Sequence, residues 1–448
     1  MTTYWCPRAT LPEGVRKRVR LRVEEGRIVE VTPGVDFAPG DTVLDGLVRP
    51  GFANAHSHAF HRALRGRTHA DGGTFWTWRE HMYAVTAALD PLTYGALARA
   101  VFAEMVLAGY TVVGEFHYLH HGPDGVPYDD PNAMGEALLD AAEEAGIRIT
   151  LLDTVYLAGG LFASGHQPLD DTQRRFSDGS VQAWRERVGR LEPRTTARHG
   201  AAIHSVRAVP REHLGEVAGF ARAGLGQSDD DPAPLHIHLS EQPGENLACE
   251  HFYGMTPAAL LAAEGVLSPD LTAVHATHLT TEDVELLGRA GTFACFCPTT
   301  ERDLADGIGP ARALHDAGVG LCIGSDQQAV VDPFEEVRAI ELHERLVSLE
   351  RGRFTLGELD RIGSETGYAS LGWPEGGTLR EGALADFISV RLDGRHTAGT
   401  DPEQVVFVAG NHDVSDVVVG GRHVVVGGRH ILGPVGPLLR TAMSRVRP

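Results

Sequence analysis

His56 and His58 stand one residue apart at the end of an apolar run, in the stretch Gly51-Phe52-Ala53-Asn54-Ala55-His56-Ser57-His58. Side chains alternate faces along a strand, so imidazoles two positions apart point the same way. Such a pair is the larger part of a zinc site. His238, with Glu241 three residues on, and Asp326 after an apolar run are the partners that would complete it. Three neutral histidines and one aspartate suit a zinc- or iron-like ion that keeps a position open for water. We therefore expect one divalent metal ion, zinc by default and iron as the alternative, on His56, His58, His238 and Asp326. His236 shares a face with His238 but lies one step deeper and is read as structural.

A bound ion of this kind lowers the pKa of its water and makes hydroxide available near neutral pH. Glu241, just beyond the ligand His238, is placed to take that proton and pass it to a leaving nitrogen. His275 and Asp326 can orient the hydroxide and stabilise developing charge. His278 is the rival of His275, the deeper of the two and the better aimed at water. A binuclear centre would need a bridging ligand, commonly a modified lysine, and Lys17 is the only lysine in the chain. One metal is the economical reading.

These residues must be held by a scaffold, and the chain alternates short buried β-type runs with helical stretches. Eight strands are expected near 48–56, 111–118, 148–156, 200–209, 235–241, 272–278, 292–299 and 320–326. Helical segments fall at 91–108, 132–145, 180–191, 210–223, 257–264, 281–290 and 309–317. Alternation of this kind predicts a parallel sheet, and eight units predict an α/β fold of the TIM-type (β/α)8 barrel, with its chemistry at the strand C-termini. The polar residues follow that rule. His56 and His58 end the first strand, His117 and Tyr118 the second, His204, Ser205 and Arg207 the fourth, His238 and Glu241 the fifth, and Asp326 the eighth. Both ends of the chain instead read as antiparallel strands with tight turns. They predict a small β-sandwich domain built from residues 1–48 and 381–448 around a barrel at 49–380.

With 448 residues the chain can bury a large core, and its formal charge of −20 argues against nucleic acid as partner. No apolar segment reads as a signal peptide or a membrane span, so a cytoplasmic protein without a membrane partner is expected. Five cysteines are too few and too scattered for a disulfide framework, and Cys295 and Cys297 are read as buried apolar residues. The loop at 226–232 is read as a surface connection, and 76–81 as a substrate lid.

His56-Ser57-His58, His238 with Glu241, His275 and Ser325-Asp326 resemble the amidohydrolase superfamily in its mononuclear deaminase branch. Phe75-Trp76-Thr77-Trp78-Arg79-Glu80, Glu115-Phe116-His117-Tyr118-Leu119-His120-His121 and His204-Ser205-Val206-Arg207-Ala208-Val209 are similar to the formimidoylglutamate deiminases within it. The resemblance implies hydrolysis of N-formimidoyl-L-glutamate to N-formyl-L-glutamate and ammonia, a step of histidine degradation. It also implies a homodimer. A substrate with two carboxylates needs cationic or donor partners when buried, and the family motif assigns substrate contacts to Arg79, Tyr118, His204 and Arg207. Two departures stand out. His61 stands where the family pattern has a glutamine, either replacing it as a substrate contact or marking a shifted specificity, and Ser325-Asp326 is followed by Gln327-Gln328 rather than Ser-His. The competing readings are a deaminase of another amidine, guanidino compound or nucleobase, and a non-catalytic barrel binding a metal or small anion.

Overall fold

In the computed structural model, which describes residues 1–69, 73, 75–225 and 232–446, the middle of the chain closes into a barrel. Eight parallel strands run in chain order around it: β1 (Phe52–Ser57), β2 (Tyr110–His117), β3 (Arg148–Val155), β4 (Ala197–Ile203), β5 (Leu235–Leu239), β6 (Leu271–His275), β7 (Phe293–Phe296) and β8 (Gly320–Ile323). Strands covered on both faces carry near-continuous apolar runs rather than alternation. Every residue of β1, β2, β3 and β5 is accordingly buried. The seam between β8 and β1 is closed by a single parallel bridge, Ser57 with Asp326.

Local chemistry sets the helix boundaries. Asp90 caps the helix Pro91–Ala108 by accepting the Thr93 amide at 2.7 Å, and the Thr93 hydroxyl answers the Asp90 amide at 2.9 Å. Proline at its first position removes an amide that would have no partner there. Gly109 ends it with φ 107, a left-handed conformation that leads directly into β2. The helix expected at 281–290 has the same bounds in the structure, Thr281–Ala290, with a Thr280/Asp283 capping box.

The strands at both chain ends join in one nine-stranded sheet, in which Leu47–Pro50 pairs with Thr2–Leu11 on one side and Phe387–Val390 on the other. The first expected barrel strand is therefore shared. Residues 47–50 belong to the terminal sheet, and the barrel begins only after Gly51, whose close approach to Thr111 leaves no room for a side chain. Lys17 lies exposed on the second strand of this sheet, Gly14–Glu24.

Polar clamps join the sheet to the barrel where the barrel strands begin. Arg148, at the start of β3, donates to Asp386 at 2.6 and 3.2 Å, and Tyr368 donates to the same carboxylate at 2.9 Å. Arg49 is buried over the Phe52 ring, 4.3 Å from its centroid, and pairs with Asp360 at 3.0 Å. Tyr368, Leu371 and Trp373 pack with Ala53, Ala55, Val112, Val274 and Cys295, Cys297 and Cys322 in one buried cluster. All five cysteines are free and buried, among them Cys295 and Cys297, which the sequence reading expected to be buried. Among the described residues no helix is long and apolar enough to cross a membrane.

Candidate metal centre and active site

The C-terminal ends of the strands bring His56, His58, His238, His275 and Asp326 together, all buried. His56 Nε2 lies 3.2 Å from His238 Nε2 and 3.5 Å from Asp326 Oδ1; His58 Nε2 lies 3.6 Å from the same oxygen. The other ring nitrogens explain why these edges converge. His58 Nδ1 is 2.9 Å from the Phe116 carbonyl and His238 Nδ1 is 2.9 Å from the His204 carbonyl. A carbonyl only accepts, so each Nδ1 carries the proton and each Nε2 turns a lone pair toward the common centre. Burial opposes charging these rings: it pushes His56 and His238 well below the ordinary histidine value and His58 down to about 3. Neutral imidazoles with bare Nε2 atoms beside a carboxylate are the donor set of a divalent metal ion.

The backbone behind the two histidines is secured from both sides of the seam. Ser57 points away from the centre and donates to Glu115 on β2 at 2.7 Å, while the same carboxyl receives the Ala59 amide at 2.6 Å. Burial lifts that carboxyl to about 8. From the other side Gln328 donates to the Ser57 hydroxyl and to the Asp326 carbonyl, each at 2.9 Å. Ser240, His275, Ala276, Asp326 and Gln328 all have positive φ without being glycine. Such conformations cost energy and gather where a site needs an unusual direction.

A cleft opens over this cluster, lined by His61, Arg79, Tyr118, His204, Arg207 and Glu241 together with His58, His238, His275 and Asp326. Glu241 Oε1 is 3.7 Å from His275 Nε2, and that nitrogen is 3.8 Å from Asp326 Oδ2. Arg207 holds the other Glu241 oxygen at 3.2 Å and reaches Glu245 at 3.5 Å. His61 meets the Tyr118 hydroxyl at 3.0 Å. Burial by itself would lower His275, yet Glu241, Glu301 and Asp326 outweigh it and lift the imidazole to about 10.

Several expectations change. His117 ends β2 but faces away from the cleft, 3.3 Å from His120, whereas Phe116 packs against His56, His58 and His238. Strand alternation is the cause: Phe116 and Tyr118 share the inner face. His204, Ser205 and Arg207 sit in the turn after β4, not on it. Gln327 and Gln328 do not line the cleft; Gln327 donates to Asp303 at 2.6 Å and Gln328 serves the seam. His236 bonds the Ser370 carbonyl at 3.1 Å and His278 the Asp306 carbonyl at 2.8 Å, so neither joins the cluster. The expected lid at 76–81 begins the helix Phe75–Ala87, with the Trp78 and Arg79 side chains on the cleft. The side chains of residues 75 and 76, and the loop at 226–231, lie outside the described residues.

The sequence reading missed Glu301, 3.5 Å from His275 Nδ1, and Glu245 behind Arg207. It also missed a wall of Tyr83, Tyr156 and Phe176. The only sequence signal for Glu301 was an acidic residue four positions past Cys297, whose amide it receives at 2.7 Å.

A cluster of histidines and an aspartate at the mouth of a (β/α)8 barrel, with a terminal β-sheet packed behind it, defines a metal-dependent hydrolase. The amidohydrolase family model matches residues 47–424, and the chain belongs to that family, hydrolases acting on C–N bonds. The chain is 36% identical over 442 residues to a formimidoylglutamate deiminase of Pseudomonas aeruginosa, covering 95% of this chain and 94% of that one. It is 28% identical to a 5'-deoxyadenosine deaminase of Methanosarcina barkeri, over 92% and 88% of the two chains. A solved amidohydrolase from Brucella melitensis superposes with a TM-score of 0.88 at 31% identity, covering 100% of both chains. The protein is an amidohydrolase-type deaminase.

Proposed function

We propose that this enzyme hydrolyses N-formimidoyl-L-glutamate to N-formyl-L-glutamate and ammonia. One divalent metal ion, zinc by its nitrogen and oxygen donors, would be held by His56, His58, His238 and Asp326. The ion, when bound, lowers the pKa of a water molecule and makes a nucleophile available near neutral pH. Glu241 takes a proton from the attacking water as its oxygen bonds to the formimidoyl carbon. The tetrahedral carbon then carries hydroxyl, amine and the glutamate nitrogen. With the substrate entering as its amidinium, Glu241 returns its proton to the amine, the hydroxyl passes its proton to Asp326, the C–N bond breaks, and ammonia leaves as the carbonyl forms. His275, between Glu241 and Asp326, fixes the position of the attacking oxygen. Arg79, Arg207, His204, Tyr118 and His61 bind the glutamate portion.

The observation that carries this reading is the presence of two guanidinium groups, Arg79 and Arg207, on the cleft that opens over the histidine cluster. A linear substrate with two carboxylates needs such partners. The named activity of the Pseudomonas relative supports the same choice. The reading includes a cytoplasmic homodimer, whose assembly state sedimentation velocity of the purified protein would give.

One feature favours a second reading. The rings of Trp78, Tyr83, Tyr118, Tyr156 and Phe176 also line the cleft and could hold an aromatic heterocycle. Ammonia release by zinc-loaded protein, with a chelated control, distinguishes the two. Metal-dependent turnover of N-formimidoyl-L-glutamate is expected; release only from 5'-deoxyadenosine or a free nucleobase would replace the first reading with the second.

A further inference from the structure

Away from the cleft, two exposed histidines and a buried carboxylate face one another in the connection between the terminal-sheet strands Phe387–Val390 and Val414–Val419. His396 Nδ1 lies 2.6 Å from His412 Nε2. Asp413 Oδ2 is 3.2 Å from His412 Nε2, and Asp413 Oδ1 is 3.8 Å from His396 Nδ1. The ring planes are inclined at 64° with centroids 4.2 Å apart. All three ligand atoms lie within 4.8 Å of one another.

The backbone fixes these positions before any ion arrives. The Arg391 amide donates to the Asp413 carbonyl at 2.9 Å, and the Arg391 guanidinium donates to the His412 carbonyl at 2.6 Å. The Gly410 amide donates to Asp413 Oδ2 at 3.0 Å, and the neighbouring Asn411 amide to Asp332 Oδ2 at 3.0 Å. His396 sits in a turn closed by the Thr397 and Ala398 amides on the Gly394 carbonyl, at 3.1 and 2.8 Å. The Asp413 side chain is only 5% exposed, while His396 and His412 are 33% and 51% exposed. A carboxylate held rigidly beneath two accessible imidazoles is a three-donor cup open to solvent.

We propose that His396, His412 and Asp413 form a second divalent metal site, taking a zinc-class ion with water completing its coordination. Two imidazoles and one carboxylate are borderline donors that select zinc, nickel or copper over magnesium or calcium. Tetrahedral zinc at about 2.0 Å from each nitrogen sets those nitrogens roughly 3.3 Å apart. The present separation opens to that value by small rotations of two exposed side chains. A simple hydrogen bond between the rings is the alternative, and it uses one lone pair where a metal uses two. The site would clip the turn at 394–400 onto the turn that precedes the strand Val414–Val419.

The test is zinc stoichiometry of the full-length protein after equilibrium dialysis at micromolar free zinc. The wild-type protein is expected to hold one more equivalent than the double variant His396→Ala/His412→Ala, with the same difference for the conservative pair His396→Gln/His412→Gln. Equal stoichiometry in wild type and both variants would overturn the proposal. Because the readout is bound metal, the result stands whether or not the proposed substrate is turned over.

Discussion

His58 and Asp326 meet twice across the barrel seam. The His58 amide donates to the Asp326 carbonyl at 3.1 Å, while the His58 Nε2 stands 3.6 Å from the Asp326 carboxylate. Across the same seam, the Asp326 amide donates to the His56 carbonyl at 3.0 Å. The pairing that closes the sheet therefore also sets the spacing of the metal-type donors, and neither can change without the other.

If Glu241 carries the proton, Glu241→Gln keeps an acceptor for Arg207 but loses the exchangeable charge. Turnover should fall by a factor on the order of 10² to 10⁴, with zinc content by elemental analysis unchanged. A variant that retains wild-type kcat would remove Glu241 from that role.

Arg79 stacks over Tyr83, 5.4 Å from its ring centre, and borders the cleft. Arg79→Met keeps much of the apolar stem and deletes the cation. The expected result is a fall in kcat/KM of roughly 10- to 100-fold, expressed in KM more than in kcat, with metal retained. Steady-state kinetics that match the wild type would place the carboxylates elsewhere.

The clamp between barrel and terminal sheet should dominate stability. Arg148→Met strands the fully buried Asp386 with Tyr368 and the Gly420 amide as its remaining donors. Breaking a buried ion pair from one side costs about 3–5 kcal/mol, and urea unfolding should show that loss. Adding Asp386→Leu should recover part of it, whereas no recovery would mean that Asp386 does its work through Tyr368 and Gly420 instead.

Acid should weaken the fold through His120. Burial, reinforced by the Arg187 guanidinium, holds this imidazole at about 4, and its Nε2 lies 2.9 Å from the Thr154 carbonyl. An unfolded histidine titrates near 6.5, so below that pH the unfolded chain takes up a proton that the folded chain refuses. Stability is therefore lost as pH falls from about 6.5 toward 4, and His120 contributes about 2 kcal/mol of the difference between pH 7 and pH 5. His120→Gln should shrink that difference by the same amount in urea titrations; an unchanged difference would assign the acid sensitivity to other groups.

What the sequence disclosed follows from how local each signal is. His56 and His58 were legible because alternation along one strand suffices to aim both, and helix Pro91–Ala108 because Asp90, Pro91 and Gly109 mark its ends. His117 was misplaced by counting strand-end residues without their parity, which puts Phe116 inward. Glu301 and Glu245 were invisible because their partners, His275 and Arg207, come from other strand–helix turns. Gln327 and Gln328 looked like changes to the substrate pocket, yet Gln328 bonds across the seam to Ser57, a contact 271 residues away in the chain.

Lys17 offers a practical handle. Its ε-amine is the single lysine amine of the chain and stands exposed on the terminal sheet, which clamps the barrel where its strands begin, while the cleft opens where they end. With the α-amine blocked, amine-reactive dyes or surfaces would attach at one defined point, orienting immobilised enzyme with its catalytic mouth toward the solution.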